Sequence, residues 1–200
     1  MKTRWVLLAA VAAGALGVAA SLRLDRSWLA RTAPVQHALK QPKDGVVPPV
    51  PVAREGEALP ALTLPDTAGR RIELSRLTAG RPALVNVWAT WCGPCVREMP
   101  MLDAFHRAQA PDGVQVVGIA LDDAAAVRDF MTRYRIGYTS LVDAPGKADA
   151  GVRLGNPRGV LPFSLLVGAD GRILEQWVGP LEQGDLDAWA ARAAAHPTGD

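Results

Sequence analysis

The sequence predicts an α/β fold in which a central mixed β-sheet is flanked by helices. First, apolar, strand-like segments alternate with helical patterns from residue 83 to residue 154, as in sheets covered by helices on both faces. Second, a hairpin signal, Asp170-Gly171, lies between two apolar segments near the end of the chain, and an amphipathic helix follows. Third, two earlier alternating segments, Leu62–Leu64 and Arg71–Leu74, predict an N-terminal β-hairpin.

Each element follows from a local pattern. The folded domain is expected to begin near Glu57, and residues 75–77 should form a short helical turn after the hairpin. Apolar and β-branched residues predict strands at 83–88, 114–120, 141–142, 163–167 and 173–178. Helices are expected at 94–108, 147–154 and 185–195, and between a cap at Asp122 or Asp123 and Tyr134. On the first long helix, the spacing places inwards Val96, Met99, Leu102 and Phe105.

The composition indicates one globular domain with additions. The chain has 200 residues, of which 49% are hydrophobic, and this is enough for one core. Its 22 basic and 20 acidic side chains give a net charge of +2, and Lys2 and Arg4 account for the excess. Because the remainder is electrically balanced, the sequence offers no basis for nucleic-acid binding. It also calls for no cofactor, and we expect a monomer.

The N-terminal segment predicts export. Residues 5–22 form an uncharged run of 18 residues behind a basic start, a length at which signal peptides and membrane spans overlap. We therefore expect residues 1–22 to be a signal anchor, or a signal peptide cleaved near Ala20, and we favour the anchor. Prolines at 42, 48, 49 and 51 indicate that residues 23–56 form an extended tether. Residues 57–196 remain as the folded domain.

The only two cysteines, Cys92 and Cys95, lie between the strand at 83–88 and the helix that follows it. A thiolate is the attacking species in thiol–disulfide exchange, so such a site has to lower a cysteine pKa. A helix N-terminus favours an anion by about 0.3–1 kcal/mol, and hydrogen bonds from the Gly93-Pro94 turn would add to this. We expect Cys92 to be the exposed nucleophile and Cys95 the buried thiol that resolves the mixed disulfide.

Three other interpretations of the pair stay open at this point. A zinc half-site would need two further ligands, and the histidines at 37, 106 and 196 have no paired spacing. A structural disulfide would close so short a loop that it stabilises the fold by only about 2 kcal/mol. Two unrelated core cysteines would not require a Gly-Pro turn between them. Redox chemistry is the interpretation that the pattern favours.

The residues around the pair resemble a known family. The segment Trp91-Cys92-Gly93-Pro94-Cys95 looks like the thioredoxin active site. The longer string Leu84–Cys95, with Glu98-Met99-Pro100, is similar to the membrane-tethered TlpA/ResA-like thioredoxins of bacteria. The resemblance covers about residues 57–195 and implies the thioredoxin fold. It also implies thiol–disulfide exchange in the periplasm or its Gram-positive equivalent, often in cytochrome c maturation or copper-site assembly.

The resemblance assigns supporting residues on the client side of the pair. Leu161-Pro162 matches the cis-proline of the fold. Pro162 would face the sulfurs, and Leu161 would offer its backbone to an incoming peptide. Phe163 departs from the commoner Thr at that position, which would alter the client groove. Trp91 is expected to shield the sulfurs and to contribute to the docking surface.

Proton transfer to the inner thiol takes an unusual form in this sequence. Asn86 stands where thioredoxins proper carry a buried Asp that assists this step, and an amide cannot titrate. Asp122 matches the place where some tethered family members have an acidic residue near the cysteines. It is expected either to carry the Cys95 proton or only to cap the next helix. Glu98 is expected at the surface or in a supporting position rather than in catalysis.

The sequence therefore predicts a single-pass protein of the cytoplasmic membrane with its catalytic domain outside, or a soluble periplasmic protein after cleavage. It should reduce disulfides in client proteins, a direction that the Gly-Pro between the cysteines and the family both favour. The expected partners are those clients, the membrane through residues 5–22, and a membrane or periplasmic thiol–disulfide electron donor. A disulfide-forming oxidase and a copper chaperone that uses the two thiolates are the alternatives.

Overall fold

The computed structural model describes residues 30–43 and 47–196. The predicted anchor or signal peptide at 1–22 lies outside the described residues, as does the first part of the predicted tether. Within the described part of the chain, no helix is both long and apolar enough to cross a membrane. The chain divides into two units, residues 1–36 and residues 37–200, and every strand belongs to the second.

Six helices and seven strands are present in the described residues. The helices are α1 (Ala33–Leu39), α2 (Leu74–Thr78), α3 (Gly93–Ala108), α4 (Ala124–Tyr134), α5 (Ala150–Arg153) and α6 (Gln183–Ala194). The strands are β1 (Thr63–Pro65), β2 (Arg71–Glu73), β3 (Ala83–Trp88), β4 (Gln115–Leu121), β5 (Thr139–Asp143), β6 (Phe163–Val167) and β7 (Ile173–Val178). The predicted bounds of β3, β6 and β7 are confirmed, and the other predicted elements differ by a few residues at their ends.

Strands β3 to β7 form one five-stranded sheet in the order β5-β4-β3-β6-β7. Strand β3 is parallel to β4, and β4 is parallel to β5, whereas β6 is antiparallel to both β3 and β7. Strands β1 and β2 pair antiparallel as a separate hairpin. The predicted mixed sheet and N-terminal hairpin are therefore confirmed. Every residue of β3, the middle strand, is buried.

One edge of the sheet gathers the predicted site residues. The carboxyl ends of β3, β4 and β5 meet there, because parallel strands end on the same side. Strand β3 ends four residues before Cys92, and β4 ends next to Asp122. Strand β6 runs in the opposite direction and begins at Phe163, which pairs with Val87 near the end of β3. The preceding residue, Pro162, therefore reaches the same edge.

The two faces of the sheet are both covered, as predicted. Side chains alternate along a strand, so Leu84, Asn86 and Trp88 of β3 point to one face. Residues of α3, α4 and α6 pack on this face with Leu84 and Trp88. The opposite face is covered by the β1–β2 hairpin, α2 and α5. Asn86 consequently lies beneath α3, the helix that carries the cysteines.

The inner face of α3 differs from the prediction at one position, Val96, which is only partly buried. Val96 lies about 100° around the helix from Cys95, at the edge of the buried stripe. Two acidic residues take inner positions instead. The buried stripe consists of Cys95, Glu98, Met99, Leu102, Asp103 and Phe105.

Residues that precede the predicted boundary at Glu57 contact the folded domain. Ala53, which we assigned to the tether, is buried, and its amide donates to the carbonyl of Arg153 at 3.0 Å. The amide of Gly56 donates to the carbonyl of Ile173 in β7 at 2.7 Å. These hydrogen bonds attach the end of the predicted tether to α5 and β7. The boundary near residue 57 stays a prediction.

Candidate active site

The two cysteines lie where the sequence places them, at the start of α3, and they are joined by a disulfide. Cys92 is the N-cap residue, and the amide of Cys95 donates to the Cys92 sulfur at 3.3 Å. Cys92 is 6% exposed and Cys95 is fully buried. Cys95 is buried as predicted, but the prediction that Cys92 is exposed is wrong for the disulfide form, in which both residues are buried. In the disulfide the Cys92 sulfur lies against Cys95 rather than in solvent.

The start of α3 suits an anionic sulfur. The free amides of the first turn and the helix dipole together favour negative charge at the N-cap. Gly93 and Pro94 are the first helical residues, and Pro94 removes no needed donor there. When the disulfide is reduced, Cys92 is the sulfur that receives this stabilisation, so Cys92 is the thiol suited to attack.

Trp91 directly precedes Cys92 in the chain and is 67% exposed. Its side chain lines an open groove of about 510 Å³ at the ends of β4 and β5. The titratable residues that line this groove are Asp122, Asp123 and Asp143, all acidic. We call it the Trp91 groove. The wide exposure of the ring suits the predicted contribution to a docking surface.

The predicted cis peptide bond between Leu161 and Pro162 is present. Pro162 is buried, and its carbonyl accepts a hydrogen bond from the amide of Gly179 at 2.8 Å. This contact attaches the start of β6 to the residue that follows β7. Leu161 is partly buried and packs against the hydrophobic clusters on both faces of the sheet. These contacts fix Leu161 and Pro162 at the edge of the sheet that carries Cys92.

Asp122 binds the loop that precedes the cysteines. Its Oδ2 accepts from the hydroxyl of Thr90 at 2.5 Å and from the amide of Thr90 at 3.1 Å. Burial raises the pKa of this carboxyl, but the hydrogen bonds from Thr90 and Asp123 outweigh burial, so the pKa lies below its usual value. The helix cap is Asp123, which accepts from the first amides of α4. The role of Asp122 as a proton carrier stays a prediction, and an ionised carboxylate held in this way is poorly suited to it.

Glu98 lies on α3 one turn beyond Cys95 and is only 5% exposed. The surface position considered for it is therefore wrong. Its Oε1 accepts from the side-chain amide of Asn86 at 2.9 Å, and its Oε2 accepts from the backbone amide of Leu181 at 2.9 Å. Burial raises the pKa of this carboxyl to about 7, although these two hydrogen bonds act in the opposite direction. A carboxyl that titrates near neutrality can accept and return a proton under physiological conditions.

Asn86 and its neighbours fix the orientation of this carboxyl. The Asn86 Nδ2 donates both to Glu98 and to the hydroxyl of Ser164 at 3.0 Å. Both amide hydrogens are thereby committed to acceptors. The pKa of the Tyr138 phenol is raised by burial and by the nearby charge of Glu98. Asn86 therefore supports a titrating group without titrating itself.

Glu98 also borders a route to solvent. An open pocket of about 300 Å³ lies between the first turns of α3 and the loop from β7 to α6. Its lining residues include Pro94, Arg97, Glu98 and Leu181. Solvent in this pocket can therefore exchange protons with the carboxyl. The sequence signal for the role of Glu98 is its spacing from Cys95, because residues three apart share a helical face.

The described residues contain no group of three or more His, Cys, Asp or Glu side chains arranged to hold a metal ion. The redox pair and Glu98 are thus the chemically distinctive groups at this edge of the sheet. One thiol is placed for attack, a second lies buried beside it, and a carboxyl with a raised pKa lies one turn further along the helix. This arrangement can perform dithiol–disulfide exchange with internal proton transfer.

Comparisons with known proteins agree with this chemistry. Residues 54–191 match the redoxin family. The chain is 30% identical over 137 residues to the thiol-disulfide oxidoreductase ResA of Bacillus thuringiensis (strain Al Hakam), and the match covers 67% of this chain and 75% of the relative. A secreted thiol-disulfide isomerase from Corynebacterium glutamicum shares the fold, with a TM-score of 0.62 at 24% identity over 78% and 96% of the chains. A thioredoxin-related protein from Neisseria meningitidis serogroup B has a TM-score of 0.58 at 29% identity, with coverage of 66% and 98%.

Proposed function

Because the chain belongs to the redoxin family, we propose that it is a thiol–disulfide oxidoreductase and that it reduces disulfides in client proteins. The observation that carries this proposal is the Cys92–Cys95 pair at the N-cap of α3, with the amide of Cys95 directed at the Cys92 sulfur. The clients are therefore proteins that contain a reducible disulfide.

The first step is attack by the Cys92 thiolate on a client disulfide. One sulfur of the client becomes bonded to Cys92, and the other leaves as a thiolate that takes up a proton. The amides at the start of α3 stabilise the attacking thiolate. Leu161, at the same edge of the sheet, would offer its backbone to the client, and Pro162 would face the sulfurs.

The second step releases the client. Cys95 has to lose its proton before it can attack the Cys92 sulfur of the mixed disulfide. We assign this proton to Glu98, which lies one turn further along α3, is buried, and has a pKa of about 7. The new Cys92–Cys95 bond then displaces the client thiolate. Two electrons have passed to the client, and a dithiol donor has to return two electrons to the pair.

The reducing direction is the finer part of the proposal. The Gly93-Pro94 pair between the cysteines favours it, as does the similarity to ResA. A disulfide-forming oxidase would use the same residues in reverse, and a measured reduction potential separates the two. A value near those of reducing thioredoxins, about −270 mV, supports a reductase, and a value near about −120 mV would assign an oxidase.

The cellular setting is also a proposal. We place the domain on the extracytoplasmic side of the cytoplasmic membrane, held by residues 5–22 or released by cleavage near Ala20. The electron donor would be a membrane or periplasmic thiol–disulfide protein. The clients would be of the kind that the family resemblance implies, in cytochrome c maturation or copper-site assembly.

The experiment that tests this function is trapping of the mixed disulfide. The Cys95→Ala variant keeps the attacking thiol and lacks the resolving one, so a client disulfide should remain covalently attached to Cys92. A Cys92→Ser variant with the same surface serves as control and should trap nothing. Accumulation of a reducible adduct in the first variant alone supports the proposal. Absence of an adduct with Cys95→Ala would mean that Cys92 is not the attacking thiol.

A further inference from the structure

A second groove is lined by residues that precede the cis-proline and by the loop that follows β5. It has a volume of about 590 Å³. Val160, two residues before the cis-proline, is one of the apolar residues that line it. We call it the Val160 groove. Its apolar lining includes Val47, Pro157 and Val160, and its charged lining is Lys43, Lys147 and Arg158.

The apolar part of this groove is unusually open to solvent. Val47 is 83% exposed and Val160 is 36% exposed. They are two of the four exposed large hydrophobic residues in the described part of the chain, and a third is Trp91. Exposed apolar residues concentrated beside a functional site commonly mark a surface that binds a partner.

The charged part of the groove has a single sign. The titratable residues among its described lining are Lys43, Lys147 and Arg158, and all are cations. Neither lysine takes part in an ion pair with another described residue. Arg158 donates to the carbonyl of Ala38 at 3.3 Å and meets no carboxylate among the described residues. These charges are therefore available to an anionic partner.

The position of the groove connects it with the redox site. Val160 directly precedes Leu161 and Pro162, which the register of β6 places at the edge that carries Cys92. A client bound by the backbone of Leu161 would run past Val160. The Trp91 groove, in contrast, has an acidic titratable lining. The two grooves thus differ in charge, so an anionic segment is attracted to the Val160 groove and repelled by the Trp91 groove.

We infer that the Val160 groove binds the client segment that flanks the target cysteine, and that this segment combines acidic with apolar side chains. The inference rests on the proposed function, and it adds a substrate preference to it. The cations attract Asp or Glu of the client, while Val47 and Val160 cover an apolar residue beside them. Continuity with the redox site favours a client peptide over an anionic membrane surface as the occupant.

The test compares matched peptides as substrates of the full-length protein in a neutral detergent. Each peptide carries one cysteine as a mixed disulfide with thionitrobenzoate, followed by alternating leucine and either aspartate, serine or lysine. The protein with a reduced Cys92–Cys95 pair releases the coloured thiolate, which gives kcat/KM for each peptide. With two ion pairs formed at a partly exposed surface, we expect the aspartate peptide to exceed the serine peptide by about tenfold. The preference should shrink at high salt.

Two charge-reversal variants decide where the preference comes from. Lys147→Glu combined with Arg158→Glu should abolish or invert the preference for the aspartate peptide over the serine peptide. The matched control is Arg133→Glu, an exposed cation on α4 outside the groove, which should leave the preference intact. Circular dichroism spectra and thermal unfolding that match those of the parent protein show that the variants fold.

Three results would overturn the inference. They are equal rates for all wild-type peptides, a preference that survives the double reversal, and a preference that the Arg133→Glu control abolishes equally. An effect of the double reversal that appears only when anionic phospholipid vesicles are added would assign the groove to the membrane instead. Failure to reduce even the serine peptide is a different outcome, because it contradicts the proposed function itself.

Discussion

Two carboxyl groups lie close to the cysteines, Glu98 on α3 and Asp122 at the end of β4. Their environments shift their pKa values in opposite directions. Glu98 lies on α3 beneath the loop that contains Leu181, where burial raises the pKa of its carboxyl to about 7. Asp122 lies at the open end of β4, where hydrogen bonds from Thr90 outweigh burial and lower the pKa of its carboxyl. One group is therefore able to exchange a proton near neutrality, and the other remains an anion.

The comparison indicates that the two carboxyl groups have different roles, one in proton transfer and one in positioning the loop. Glu98 receives two hydrogen bonds but is removed from water, so the cost of desolvating its charge decides its pKa. Asp122 keeps contact with solvent and holds Thr90, two residues before Cys92, by two hydrogen bonds. We expect Glu98 to act in proton transfer and Asp122 to position the loop.

The largest effect should come from Glu98→Gln. An amide of similar shape can keep contact with Asn86 or Leu181 but cannot take the proton of Cys95. We expect resolution of the mixed disulfide at pH 7 to slow by about 10²- to 10⁴-fold, the usual contribution of a positioned acid or base. Stopped-flow measurement of client release gives this rate. Asp122→Asn is the matched control and should change the rate only a few fold, and equal losses in the two variants would remove the distinction.

The second effect concerns stability and pH in the oxidised protein. The pKa of Glu98 is about 7 in the folded state, against 4.5 for an ordinary glutamate carboxyl. The contribution of Glu98 to the free energy of unfolding is therefore fully present below about pH 4.5 and is lost as the pH rises through 7. The total loss is about 3 kcal/mol. Denaturant unfolding between pH 5 and pH 8 measures this loss. Glu98→Gln should flatten that part of the curve, whereas Asp122→Asn should preserve it.

The third test places a second carboxyl beside the buried Glu98. In Asn86→Asp, the new side chain faces the Glu98 carboxyl, which Asn86 contacts at 2.9 Å in the present protein. Two carboxylates that share a site repel each other, so the pKa of one of them rises strongly. Infrared titration of the carboxyl band should show this group ionising at higher pH than in the parent protein. A titration that coincides with that of the parent would mean that Asn86 does not control Glu98.

The smallest effect is expected at Asp122, the carboxyl that stays in contact with solvent. Asp122→Asn should weaken the contact with Thr90 and cost about 1 kcal/mol of unfolding free energy at pH 7. Because the folded pKa of Asp122 is lowered, its contribution is present above the ordinary value near 3.8 and is lost as the pH falls through the lowered pKa. A double-mutant cycle with Thr90→Val isolates the contact. Strictly additive losses would show that the two residues are not coupled.

Much of the fold could be predicted because its signals are local. Strand β3 is an apolar run interrupted only by Asn86, and the β6–β7 hairpin has Asp170-Gly171 at its turn. Such patterns depend on neighbouring residues and survive in the structure with the predicted bounds. The cysteine pair was recognisable for the same reason, because its spacing and its place between strand and helix lie within one short segment.

The residues that were misjudged depend on distant partners. Glu98 is ordinarily a surface residue type, and its burial depends on Asn86 and Leu181, which are 12 and 83 positions away. Ala53 is attached to the domain through Arg153, a contact that no local pattern reveals. The sequence contains one local signal for the burial of Glu98: it lies three residues after Cys95, so the two residues share a helical face.

The pH dependence of the resolution step tests the central claim most directly. The rate at which Cys95 releases a client from Cys92 is measured between pH 5 and pH 9 in the parent protein, Glu98→Gln and Asp122→Asn. The parent and Asp122→Asn should both show an ionisation near pH 7, the pKa of Glu98, and Glu98→Gln should lack it. Persistence of that ionisation in Glu98→Gln, or its loss in Asp122→Asn, would contradict the assignment of the proton to Glu98.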